Sequence, residues 1–347
     1  MGHPNLETTN QRLFGSTKNG NKIYLNNISN KNGMELSVCE FGATITSLKI
    51  PLNNHEKIDV VLGFDNVTNY EQSFLNNTSP FFGTVVGLNA GRIKNGIVNI
   101  NGQSIQLETN FGKHHLHGGK INLSNQIWTL IDVTNGENPS LTYEITTPAN
   151  QENHPGWATV KVTYQLLENN SLKVILTATT TVAYPINLTQ HSYFNLNGHQ
   201  HNMDNLQLKL TAKQYLETDA ELIPTGNKLS VTDTPFDYTA FKSCPKSIDT
   251  SFVLDQQDAA ILYNENNHLC MRVSTNQPCV HIYIGGKCDD GLIGKDGISY
   301  HRFSGICFET QNFPDAPNHL TFPCSILKPN EKYYHETTFQ FDNNCNQ

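Results

Sequence analysis

The sequence predicts an all-β protein, a large antiparallel β-sandwich, on three observations. Alternating, strand-like runs recur along the whole chain, turn clusters separate them, and long stretches with helical period and caps are missing. Taken in chain order, Tyr70 to Leu75 predicts one short helical turn and no more. "IVNINGQSIQL" predicts a hairpin, with Asn101-Gly102 suited to a type I′ turn and Ile97, Ile100, Ile105 and Leu107 supplying apolar faces. "TVKVTYQLL" (Thr159 to Leu167) and "LKVILTATT" (Leu172 to Thr180) alternate, as does "CVHIYIGG" (Cys279 to Gly286). "HETTFQF" (His335 to Phe341) closes the series, rich in the β-branched and aromatic residues that suit strands. "LENNS", "NLNGHQHN", "IPTGN", "GKDG" and "KPNE" are the turn clusters between such runs.

One strand carries an anomaly. In "GICFETQNFPDAP", Gly305 to Pro317, Ile306 and Phe308 point to one face, so Cys307, Glu309 and Gln311 point to the other. A carboxylate there lies either at a solvated rim or inside a polar pocket.

The chain's 347 residues allow two average domains, but no Pro/Ser/Gly-rich linker and no repeat at a fixed period of roughly 20–50 residues divides it. The expectation is one domain over residues 1–347. A net charge of -8 argues against a nucleic-acid partner, which needs a basic face. The start, "MGHPNLETTNQ", carries no basic segment followed by an apolar core, and no window is apolar for long enough to span a membrane. The eight cysteines contain no C-x-x-C pair and sit mostly in apolar strands, so free, buried thiols and a cytoplasmic location are expected.

Three segments crowd polar side chains beside strand or turn signals. They are "NFGKHHLHGG" with His114, His115 and His117, "PINLTQHSYFNLNG" with His191, and the segment holding Glu309. His-x-His spacing could present two imidazoles to a metal, but "GGKINLS" follows with no carboxylate, so no metal is expected. Each group alone reads equally well as a structural residue. A carboxylate and an imidazole in one pocket would form a base and an acid able to take one proton from a substrate and give it another. No G-x-S-x-G, no G-x-G-x-x-G after a strand and no Walker loop accompanies them, so neither a serine nucleophile nor a nucleotide cofactor is indicated. Neutral amides, hydroxyls, one arginine and aromatic rings remain, which suits a small, neutral, hydroxyl-rich ligand.

These residues resemble the aldose 1-epimerase (galactose mutarotase) family along nearly the whole chain. The resemblance runs from "FGATITSLKIP" and "VVLGFDNVTNYEQ" through "PFFGTVVGLNAGRIKNG", "LHGG" and "NLTQHSYFNLNG" to "GICFETQNFPDAP" and "LKPNEKYYHETTFQF". It implies a galactose mutarotase-like supersandwich with an open sugar cleft and no cofactor. Anomers of free aldohexoses would interconvert there by ring opening and reclosure. Carried over, Glu309 would be the base, His191 the acid and His117 a second histidine at C1. Arg92, Tyr193, Asp249 and Gln277 would hold the sugar or line its pocket, and the protein would be a monomer or homodimer. Leu88 and Gly91 stand where the family has Arg and Asn, Thr250 where a His is common, Gly286 where Asn is frequent, and His114 in place of an Asn. These departures bear on affinity and sugar preference. Three alternatives stay open: a sugar-binding homologue with weakened turnover, a glycoside hydrolase pairing Glu309 with Asp249 or Asp315, and a hexose-phosphate epimerase.

Overall fold

The computed structural model describes residues 11–54, 56–75, 79–100, 102–285, 288, 291–343 and 345. Gly286 and Asn101 lie outside the described residues. The chain is almost entirely β, with three large sheets whose neighbouring strands pair antiparallel.

The first sheet is an N-terminal meander of five strands in sequence order, from Arg12–Ser16 to Lys57–Asp59. The second has nine strands, and the C-terminal strand Tyr333–Asp342 sits inside it, between Ser171–Thr180 and Cys270–Thr275. Alternation runs through its long central strands. In Ala158–Leu167, Val160, Val162, Tyr164 and Leu166 are buried while their neighbours face outward, as a sheet with one solvated face requires. The third sheet has six strands, among them Tyr193–Phe194, Ile306–Gln311, Cys279–Ile284 and Ile248–Val253 as successive neighbours.

The core lies between these sheets. Phe194 of the six-stranded sheet packs 4.9 Å, centroid to centroid, from Phe339 of the nine-stranded one, and Phe308 belongs to the same apolar cluster. Leu36, Val38, Ile45 and Leu48 bring the N-terminal sheet into that cluster. Two buried tyrosines also tie the sheets by polar contacts: Tyr164 donates to the Ala43 carbonyl at 2.7 Å and Tyr143 to that of Val38 at 3.2 Å. Buried hydroxyls with partners avoid the cost of an orphaned polar group.

What positions the site is that both faces of Ile306–Gln311 are buried. Ile306 and Phe308 face the core; on the other face Glu309 and Gln311 look into a cavity and Cys307 packs in a second apolar cluster. One wall of that cavity, Leu292, precedes Lys295, whose buried ammonium is 2.8 Å from Asp59 Oδ2 and 3.0 Å from the Thr46 carbonyl. Burial pushes the Lys295 pKa down, opposed by the Asp59 carboxylate. The pair anchors the wall to the N-terminal sheet, since a buried charge is held only where its partner is close.

Three local expectations need correction. The helix spans Val67–Leu75, beginning earlier than Tyr70, because Asn66 caps it by accepting from the Asn69 amide at 3.0 Å. "IPTGN" is no turn: Pro224–Ser230 is the edge strand of the six-stranded sheet, where a proline costs no ladder bond. Cys270 and Cys345 form a disulfide with Cα atoms 5.4 Å apart, against the expectation of free thiols. Cys270 pairs with Asp342, so the end of the chain runs past it. Cys39, Cys244, Cys279, Cys288 and Cys307 are free and buried, and Cys324 is free and exposed. The 97–107 hairpin forms as expected, with Val98 opposite Ile105.

Candidate active site

Strand parity builds the site. On Ile306–Gln311, Cys307, Glu309 and Gln311 share a face, and across the ladders Glu309 lies opposite His281, His281 opposite Ser251, and Tyr283 between Cys307 and Asp249. A single polar wall therefore carries Asp249, Ser251, His281, Tyr283, Cys307, Glu309 and Gln311. It borders a cavity of about 600 Å³, the size of a small-molecule site. Phe81, Phe111, Leu222, Leu292 and Pro314 form the apolar side of that cavity.

Glu309 is 2 % exposed, so its presence on a strand is a pocket feature and not a solvated rim. Its Oε1 is 3.4 Å from His191 Nε2. His191 is pinned by its backbone, donating to the Thr84 carbonyl at 2.9 Å and accepting from the Gly83 amide at 3.0 Å. Its ring packs between Phe81 and Tyr193, at 5.8 and 5.4 Å between centroids, and its Nδ1 is 3.7 Å from the Cys307 sulfur. The Cys307 thiol is pushed well up by burial, with Glu309 adding to the effect, so it stays protonated beside the imidazole.

His117 enters from the third side, its ring 5.6 Å from that of His191. It holds the left-handed backbone (φ 50°), and Gly118 after it (φ 86°) must lack a side chain because a Cβ would meet the Gly87 carbonyl. The Gly91 amide donates to His117 Nδ1 at 3.2 Å. Burial, reinforced by His191, Arg92 and His281, holds the His117 pKa well below the usual value. The ring is therefore neutral with its proton on Nε2, a hydrogen-bond donor. His117, His191 and Glu309 have ligand atoms within 4.8 Å of one another, close enough for a divalent cation. Such a cation would have to displace the Nε2 proton that the Gly91 amide fixes.

The residues expected to hold the sugar form a chain of charge. Arg92 approaches Asp249 Oδ2 at 3.4 Å and lies under Phe111, 5.2 Å from its ring centre. Asp249 Oδ1 is 2.9 Å from His281 Nε2, and His281 Nδ1 is 2.8 Å from Ser251 Oγ. Burial alone would raise the Asp249 pKa, but His281 and Arg92 hold it far below the usual carboxylate value. A hydrolase pairs one protonated carboxyl group with one ionised carboxylate free to act on the sugar or a water, and both Asp249 oxygens are already engaged, by His281 and Arg92. Asp315 does not reach the cavity: its Oδ1 accepts from the Lys94 amide and the Asn318 side chain, holding a turn.

Of the expected site residues, the cavity gathers Glu309, His191, His117, Arg92, Tyr193 and Asp249, and leaves out Gln277. Gln277 lies in the turn before Cys279–Ile284, where its amide donates to Asn276 Oδ1 at 3.0 Å. His281, which was not among the expected residues, lines the cavity opposite Glu309. The signal for it was present: in "CVHIYI", His281 and Tyr283 alternate with Val280, Ile282 and Ile284, marking a polar strand face. Gln311 reaches the cavity with its Oε1 unpartnered, whereas Asn312 turns away to the Pro323 and Cys324 carbonyls. His114 and His115 do not reach it either; their Nδ1 atoms meet the Asn95 amide and the Glu108 carbonyl.

The departures divide in the same way. Thr250 faces the core, opposite Ile282, and Leu88 belongs to the apolar cluster, so neither lines the cavity. Gly91 does line it (φ 75°), and a Cβ there would come within 2.9 Å of the Pro314 ring.

The profile described as Aldose 1-epimerase matches residues 24–340. Galactose mutarotase of Bos taurus is 35% identical over 321 residues, covering 89% of this chain and 91% of the bovine one. Aldose 1-epimerase of Haemophilus influenzae is 33% identical over 334 residues, covering 90% and 94%. The solved structure of an aldose epimerase homologue from C. elegans superposes with a TM-score of 0.84 at 29% identity, over 92% of this chain and 99% of that one. Sequence and architecture agree from the second strand to the last, and the chain belongs to the aldose 1-epimerase family.

Proposed function

We propose that this protein interconverts the α and β anomers of free aldohexoses such as galactose and glucose, with Glu309 as base and His191 as acid. The observation that carries the reading is the 3.4 Å approach of these two buried side chains, from distant parts of the chain, at one cavity. The Glu309 carboxylate takes the proton of the C1 hydroxyl while the His191 imidazolium gives its Nε2 proton to the ring oxygen. The C1–ring oxygen bond breaks as the C1 carbonyl forms. Rotation about C1–C2 presents the other face, and the two proton transfers reverse, restoring both groups to their starting states. His117, a neutral donor, steadies the oxygen on which charge develops. The cavity leaves the open-chain aldehyde room to turn.

Asp249, Arg92 and His281 offer acceptors and donors for sugar hydroxyls, and Phe81 and Tyr193 supply apolar faces. Arg92, the one Lys or Arg among the described lining residues, is already engaged by Asp249. That favours a neutral sugar over a hexose phosphate, which needs cations free to take up its charge.

A single domain over residues 1–347 is supported by one apolar cluster drawing on all three large sheets. No described helix is long and apolar enough to cross a membrane. Five buried free thiols outnumber the one disulfide pair and suit a reducing compartment, and on that balance we place the protein in the cytoplasm.

The test is polarimetric. Freshly dissolved α-D-galactose or α-D-glucose is expected to reach rotational equilibrium faster in proportion to added protein. A decay that stays at its spontaneous rate at every protein concentration contradicts turnover and leaves a sugar-binding protein.

A further inference from the structure

We propose that His281 is a positioning residue which, as an imidazolium, clamps Asp249 together with Arg92, so that sugar affinity follows the charge on His281. The inference rests on the sugar-binding role proposed for this cavity. Asp249 has two carboxylate oxygens and each is held by a different cation: Oδ1 by His281 at 2.9 Å and Oδ2 by Arg92 at 3.4 Å. A carboxylate gripped at both oxygens keeps one orientation, and its remaining lone pairs can then accept from sugar hydroxyls without rotating. The His281 contact is the shorter of the two. Without its charge, Asp249 is left with the longer Arg92 contact as the only cationic partner of the two.

Ser251 makes this a charge effect and not a structural one. Its hydroxyl is 2.8 Å from His281 Nδ1 and can accept from the ring's N–H when His281 is charged, or donate to the lone pair when it is neutral. Losing a proton therefore leaves the ring in place. The groups facing His281 are Asp249 and Ser251 from Ile248–Val253, Glu309 from Ile306–Gln311, Arg92 from Arg92–Ile93, and His117 beyond it. Burial alone would lower the His281 pKa, and Arg92 adds to that. Asp249, with Glu309 behind it, outweighs both and raises the pKa above the ordinary imidazole value. The sign follows. The cation is complete below that folded-state pKa and disappears as pH rises through it, so the clamp loosens on the alkaline side and KM rises there.

The experiment compares the native protein with His281→Gln across pH 5 to 9. KM and kcat come from polarimetry, Kd for D-galactose from calorimetry, and the His281 protonation state from imidazole NMR, assigned by the resonance missing in the variant. Glutamine keeps a donor for Asp249 but has no proton to lose. In the native protein, His281 is expected to titrate above 6.5, with KM and Kd rising together through that transition. In the variant, the low-pH KM is expected to be raised by about threefold to tenfold and the transition to vanish, with the change falling on KM more than on kcat. A KM and Kd profile identical in both proteins overturns the proposal, as does an imidazole that titrates below 6.5. Native protein that binds galactose with this pH dependence yet shows no turnover would keep the clamp and defeat only the epimerase reading. Turnover with an unaltered profile in the variant would do the reverse.

Discussion

Glu309→Gln is expected to lower kcat/KM for anomer interconversion by about 10²–10⁴-fold, with the fold unchanged. An amide has nearly the size of the carboxyl group it replaces, so the ladder opposite His281 and the cavity wall persist. What disappears is basicity: an amide oxygen can accept a hydrogen bond from the C1 hydroxyl but cannot take its proton. The loss corresponds to roughly 3–5 kcal/mol of transition-state stabilisation. It should fall on kcat, because the sugar's other hydroxyls are still met by Asp249 and Arg92. Polarimetry, with circular dichroism to verify folding, checks both halves. A loss below tenfold with an intact spectrum would mean that another group takes the proton.

His191→Asn is expected to cost a comparable factor, about 10²–10⁴-fold in kcat. Asparagine can donate a hydrogen bond toward the ring oxygen but cannot transfer a proton to it. Neither His117 nor Cys307, both beside the His191 ring, is a ready substitute. His117 is neutral in its buried site and its Nδ1 is occupied by the Gly91 amide, so it lacks the extra proton an acid needs. The Cys307 thiol is held protonated well above the usual range and sits behind His191, on the Nδ1 side of the ring. Retention of more than a tenth of native kcat in His191→Asn would show that ring-oxygen protonation has another source.

How much of this was legible in the sequence follows from the range over which each signal acts. Alternation is local, so Ala158–Leu167, Ser171–Thr180, Cys279–Ile284, Ile306–Gln311 and Tyr333–Asp342 could be read directly. The parity of Glu309 against Phe308 was also local and held. Which strands become neighbours is not local, and that is where the expectations failed. His281 was visible as a polar residue on a strand, but only the register that sets it opposite Glu309 makes it part of the site. Gln277 was carried over from the family resemblance, and it fell in the turn instead. Thr250 was singled out because a His is common there in the family, yet it adjoins Asp249 on the strand, and adjacent strand residues point to opposite faces. The Cys270–Cys345 pairing joins positions 75 apart in sequence and has no local signature.

The central claim is that Glu309 and His191 act on the two oxygens of one hemiacetal in one step, and the double variant Glu309→Gln/His191→Asn tests it most directly. Two groups that work as a unit lose their joint contribution when either is removed. The polarimetric rate constant of the double variant is therefore expected to lie close to that of the worse single variant. A rate reduced by the product of the two single losses would show two independent contributions and contradict the account.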